Sequence, residues 1–267
     1  MIKLKNKLIL DDIFIIFCMM VLAACGLLYE YVFSHFAGRV LGNHDAVIYG
    51  IIGVMVVSMG VGAFLARFIK NPFDSLSIIE SIIAVSAVTG IFIISGTNAF
   101  VISLPKIMAD AYNIPVELSI TGGFYNTLLF LSNSTSYVVA AVVGVLIGVE
   151  IPLIARIRET IHKKHLEHNT GMIYGVDYIG AGMGAAIWVL FLLKMEIAQS
   201  IALVSTVNVL VGFCFIVVFS KITISNSWFN TIYCKCHFIK RKFNYRLFTL
   251  DVFRSCKHFS AAFFSSI

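Results

Sequence analysis

Apolar runs of about twenty residues recur six times along this chain of 267 residues. They fall at about Ile13–Phe33, Ala46–Phe68, Leu76–Ile94, Ser136–Ala155, Met172–Leu193 and Ile197–Ser220. A helix rising about 1.5 Å per residue needs about twenty residues to cross a hydrocarbon core of ~30 Å, so the repeat length is the one a bilayer imposes. With 59% of residues hydrophobic and 13% charged, the apolar surface exceeds what one soluble core could hide. The expected fold is therefore all-α, a polytopic membrane bundle of about six transmembrane helices spanning residues 1–220. The first run lacks a small-residue cleavage site and is long enough to span, so it reads as an anchor helix and not as a cleaved signal. Between Ser95 and Thr135 the pattern weakens, because Pro105 and Pro115 interrupt it and Phe124–Leu131 is apolar but short. That segment is expected either to form an interfacial helix or to extend its neighbours.

Lysine and arginine placement sets the expected topology. With a cytoplasmic N terminus, seventeen of the 20 lie inside, eight of them after Ser220, and only Arg39, Lys106 and Lys194 lie outside. Losing one span would invert half the loops and destroy this bias. N and C termini are both expected on the cytoplasmic side, and the net charge of +6 is read as a topology signal, with no nucleic acid as partner.

The stretch Gly148–Ala181 joins two apolar segments through a basic connector that holds Arg156, Arg158, Lys163, Lys164 and three histidines, His162, His165 and His168. A carboxylate lies inside each segment, Glu150 beside Pro152 in one and Asp177 in the next. Small residues recur at four-residue spacing, with Ser58, Gly62 and Ala66, then Ala140, Gly144 and Gly148, then Gly171 with Gly175 and Gly180 with Gly184. Such stripes let backbones approach where no hydrophobic force draws helices together. Gly62, Gly144, Gly148, Pro152, Gly180 and Gly184 are the expected packing positions.

Four acidic residues lie within spans. Glu30 falls near the outer end of the first, and Glu80, Glu150 and Asp177 fall in the cytoplasmic third of theirs. A charge at the bilayer centre costs about 3 kcal/mol on insertion scales and less near an interface. Arg67, Arg156 and Arg158 lie at the same cytoplasmic level as the last three, so one reading is a salt-bridge collar locking helices together. The sharper reading is an acidic mouth, built from Glu80, Glu150 and Asp177, that binds a cation or polycation from the cytoplasm.

Five motifs in order carry a family resemblance: GLLYE at Gly26–Glu30, SMGVGAFLARFI at Ser58–Ile69, a helix opening with Glu80, GVEIPL at Gly148–Leu153, and VDYIGA at Val176–Ala181. Together they resemble the membrane-embedded N-terminal region of transmembrane spermidine synthase-like proteins, polyamine aminopropyltransferases, over roughly residues 13–220. The resemblance implies membrane helices followed by a soluble aminopropyltransferase domain of Rossmann-like methyltransferase type, using decarboxylated S-adenosylmethionine and putrescine. Carried over by position, Glu30, Glu80, Glu150, Pro152, Asp177 and Gly180 fall on the family's characteristic membrane positions.

Beyond Ser220 the chain departs from that pattern. Residues 221–267 are basic and rich in Phe, Ser and Cys, without the alternating strands, helices and glycine-rich loop of a cofactor domain. They read as a truncation or frameshift product, or as a cytoplasmic tail whose Lys240, Arg241 and Lys242 suit an anionic leaflet. The chain by itself is thus expected to carry no catalysis and no cofactor. The glycines of DYIGAGMGA, Asp177–Ala185, match a loose nucleotide fingerprint but sit in a continuous apolar run, where helix packing is the expected role. Cys234, Cys236, His237, Cys256 and His258 have spacing too tight for the usual zinc knuckle, and no metal site is expected.

Two function classes follow. The chain is either the integral membrane module of a spermidine synthase-like protein linked to polyamine biosynthesis, or a small transporter for a cation or polyamine. The expected partners are the lipid bilayer and either a separate soluble aminopropyltransferase domain or further copies of this chain. The expected location is a bacterial inner membrane.

Overall fold

The computed structural model describes the backbone of residues 2–42, 44–113, 115, 122–162 and 167–242, and the side chains of residues 10–219 apart from 43–44, 114, 116–121 and 162–169. Six long helices make up the fold, and among the described residues there is no strand. In chain order they are α1 (Ile2–Leu41), α2 (His44–Leu65), α3 (Pro72–Tyr112), α4 (Gly123–His162), α5 (Glu167–Leu190) and α6 (Ile197–Lys242). Short 3-10 turns follow α2 at Ala66–Phe68 and α5 at Leu192–Lys194. All six contain stretches long and apolar enough to cross a membrane, from the 23 residues of Ile197–Phe219 to the 41 of Pro72–Tyr112. Residues 1–219 form one compact unit, and residues 220–267 are a second unit.

Local chemistry explains where the helices begin and end. Pro72 opens α3 at a position where its missing N–H is not needed, Asp74 sits in the first turn, and Asn113 closes the helix in the left-handed conformation at φ 52. Gly42 ends α1 at φ 72, a conformation glycine adopts without penalty, and its N–H returns to the Gly38 carbonyl. The region between Ser95 and Thr135 resolves into extensions of its neighbours: α3 runs through Pro105 to Tyr112, and α4 starts at Gly123. A proline that breaks a helix in water is tolerated in a bundle, where adjacent helices and hydroxyls satisfy the freed backbone groups.

The first helix is the axis of the bundle. Ile15, Met19, Leu22, Cys25, Tyr29, Val32, Phe33 and Ala37 are all buried along it, and it contacts each of the other five. Two seams close by backbone approach. Between α2 and α4, a Cβ on Gly62 would overlap the Val145 carbonyl oxygen, one on Gly148 the Met59 carbonyl oxygen, and one on Gly144 would lie 2.8 Å from the Met55 oxygen. Between α1 and α5, a Cβ on Gly180 would overlap the Met20 carbonyl oxygen, and one on Gly184 would sit 2.7 Å from that of Ala24. Gly175 and Gly171, five and nine residues earlier on α5, have nothing within 4 Å. The close stripe on α5 therefore begins at Gly180.

Candidate functional site

Polar side chains buried in the bundle concentrate where α1, α3, α4 and α6 meet. Glu80, on α3, is fully buried. Its Oε2 accepts a 2.7 Å hydrogen bond from Asn208 Nδ2 on α6, and the same amide reaches the Glu80 carbonyl oxygen at 3.3 Å. Among the described residues, Glu80 Oε1 has no hydrogen-bond partner. One turn earlier on α3, Ser77 donates to the Gly212 carbonyl oxygen at 3.0 Å, and a Cβ at Gly212 would lie 3.1 Å from that of Glu80. Tyr29 of α1 donates to Ser205 of α6 at 3.3 Å. Asn208 is the middle residue of the 23-residue span Ile197–Phe219, so Glu80 sits opposite the centre of that span. This is deeper than its place eight residues into α3 suggests, because Phe73 at the start of α3 packs against Phe215 and Phe219 at the end of that span.

Glu150 lies on α4, buried at 6% exposure, two residues beyond the Gly148 contact and two before Pro152. Its neighbours include the carboxyls of Glu80 and Asp177, and among the described residues it accepts no hydrogen bond. Pro152 withholds the N–H that the Gly148 carbonyl oxygen would otherwise receive, and α4 continues unbroken to His162. Asp177, three residues before Gly180, is half-exposed on α5. The fold thus gathers Glu80, Glu150 and Asp177 in a sequence from full burial to partial exposure. Glu30, at 8% exposure, stands toward the Leu41 end of α1, apart from that series.

The three arginines are engaged elsewhere. Arg158 meets Asp12 with two nearly parallel bonds, Nε to Oδ1 at 2.7 Å and a second nitrogen to Oδ2 at 3.0 Å, and also approaches Met172 Sδ at 3.2 Å. That contact ties α1, α4 and α5 at one end of the bundle. Arg156 donates to the carbonyl oxygens of Ala66 and Ile69 at 3.2 and 2.6 Å, capping the turn after α2. Arg67 lies 4.7 Å from the Phe68 ring centroid. The collar drawn from sequence is therefore made with Asp12 and with backbone carbonyls, not with Glu80, Glu150 or Asp177. Local sequence gives no spacing signal for Asp12 or Ser205, whereas an asparagine inside the apolar run TVNVLVG marks Asn208, and Tyr29 lies within GLLYE.

No group of three or more His, Cys, Asp or Glu among the described residues is arranged to hold a metal ion. The histidines and lysines of the basic connector from His162 to His168, and the Cys and His residues of the tail, lie outside the described side chains.

Architecture and site together define a helical bundle of membrane-spanning dimensions with an acidic interior. The chain is a homologue of the polyamine aminopropyltransferases. It is 46% identical over 206 residues, 77% of its length, to a polyamine aminopropyltransferase of Shewanella oneidensis, and 30% identical over 172 residues to polyamine aminopropyltransferase 1 of Streptomyces coelicolor. A polyamine aminopropyltransferase of Leptospira interrogans is 23% identical over 181 residues. The matched parts are 36%, 27% and 29% of these relatives, so the chain spans about a third of their length. No family model and no solved structure matches it.

Proposed function

We propose that residues 10–219 are the integral membrane module of a spermidine synthase-like protein of polyamine biosynthesis, seated in the bacterial inner membrane with both termini cytoplasmic. The observation that carries this reading is the 46% identity with an aminopropyltransferase over a match covering three quarters of this chain, most of which is made of apolar spans. The module holds aminopropyl transfer at the membrane, through a soluble aminopropyltransferase domain on the cytoplasmic side. The basic connector between Arg156 and Asn169 offers that domain an electrostatic contact.

Deleting the gene and assaying washed membranes for transfer of a labelled aminopropyl group to putrescine tests the reading. Loss of the membrane-bound activity, restored by the gene, is the expected result. Unchanged activity in the deletion overturns it. Alkaline phosphatase fusions after Leu41 and Tyr112 are expected to be active, and fusions after Lys70 and His162 inactive; the reverse pattern refutes the orientation.

A further inference from the structure

The aminopropyl reading leaves the acidic interior unexplained. Glu80 is fully buried at mid-span, with Asn208 satisfying one carboxyl oxygen and no described residue satisfying the other. Glu150, nearly as buried, lies at the same level on the neighbouring helix: Gly90 of α3 meets Val139 of α4, and ten residues along these oppositely directed spans Glu80 comes level with Val149. No Lys or Arg among the described residues forms an ion pair with either carboxylate. Two anions held in a low-dielectric interior without a countercharge repel strongly, and each loses the hydration it would have in water. Full burial of Glu80 leaves room only for a very small ligand. A proton resolves both the charge repulsion and the unsatisfied oxygen, because a carboxylic acid shares its O–H with a neighbouring acceptor.

We propose that Glu80 and Glu150 form an intramembrane proton-binding site, reached from the side of the bundle where Asp177 is half-exposed. One O–H bond forms on a carboxylate oxygen of the pair, the proton coming from water at the Asp177 end, with no other reactant. The other titratable groups near the pair are Cys18, Cys25 and Tyr29 on α1 and Asp177 on α5, the last beside Glu150. None of them supplies a positive charge. Asn208 serves as a positioning residue, since its amide fixes Oε2 of Glu80 and leaves Oε1 to take the proton. The site holds whether or not the module serves aminopropyl transfer.

Infrared difference spectroscopy of the full chain in liposomes, titrated with pH in H2O and D2O, reads the carbonyl stretch of a protonated carboxylic acid directly. A band that persists at neutral pH is expected in the wild type. Replacing either partner by its amide, Glu80→Gln or Glu150→Gln, is expected to abolish the band or to lower the proton affinity of the remaining acid at least tenfold, because its anionic neighbour is gone. Asp177→Asn is expected to keep the band and slow its exchange with D2O severalfold. Absence of a neutral-pH band in the wild type overturns the site, and this outcome needs no variant to fold. A band unchanged in both Gln variants also overturns it, and exchange unaffected by Asp177→Asn overturns the entry route.

Discussion

The α2–α4 seam and the α3–α6 seam solve the same problem by opposite means. Across the first, Gly62, Gly144 and Gly148 remove side chains so that backbones meet. Across the second, Ser77, Glu80 and Asn208 reach across with hydrogen bonds of 2.7–3.3 Å. Both are available to helices in lipid, where apolar contact offers no net advantage over lipid tails. The difference lies in what each tolerates. A seam built on missing atoms fails when an atom is added, whereas a seam built on polar partners fails when one is removed.

Gly148→Leu is therefore expected to have the largest effect. Its side chain would be driven into the Met59 backbone, which cannot rotate away as a side chain can. Overpacking costs about 1–3 kcal/mol even where side chains adjust, so a collision with backbone is expected to exceed that range and to leave little folded protein in a detergent melt. Asn208→Leu comes next: it leaves both carboxyl oxygens of Glu80 without a described donor. An abandoned buried acceptor costs about 1–3 kcal/mol, and the loss should appear as a lower midpoint in the same melt. If Gly148→Leu melted normally while Asn208→Leu did not, the contrast between the seams would reverse.

Smaller effects sharpen the comparison within single helices. Arg158→Lys keeps the charge but cannot make the paired nitrogen contact with Asp12, and about 1 kcal/mol of destabilisation is expected in a chemical melt. On α5, Gly180→Ala should destabilise, whereas Gly175→Ala meets open space and is expected to stabilise by up to about 1 kcal/mol through helix propensity. Equal melts for the two alanine variants would show that close approach at Gly180 is not the reason for its glycine. Tyr29→Phe removes only a long 3.3 Å bond, and an effect near 0.6 kcal/mol, about the average for such contacts in bilayers, is expected in steady-state unfolding.

The two seams also differ in how far they could be read beforehand. Four-residue spacing of glycine is a local signal, so Gly144, Gly148, Gly180 and Gly184 could be named from sequence, although the same spacing at Gly171 and Gly175 carries no contact. Periodicity gives the surface of a helix but not the partner it meets. Glu80 with Asn208 and Tyr29 with Ser205 join residues 128 and 176 positions apart, and nothing local specifies those pairs. Arg158 shows the same limit. Its level in the chain placed it beside Glu150, but helix rotation turned it to Asp12 near the other end of the sequence. Six apolar spans were legible because the bilayer fixes their length, yet their ends at Tyr112 and Gly123 were not, since bundle packing tolerates Pro105.

Those ends have a mechanical consequence. At about 1.5 Å per residue, the 41 residues of α3 and 40 of α4 each measure about 60 Å, twice a hydrocarbon core of ~30 Å. The paired overhang beyond Gly96 and before Thr135 carries Phe100, Ile102, Ile107, Phe124, Phe130 and Leu131 on its surface, interspersed with Lys106 and Asp110. A thicker bilayer would submerge more of these rings and a thinner one would strand them in water, each at fractions of a kcal/mol per Å. The burial of these two overhangs thus depends on the thickness of the surrounding bilayer more than that of any other described surface of α3 and α4.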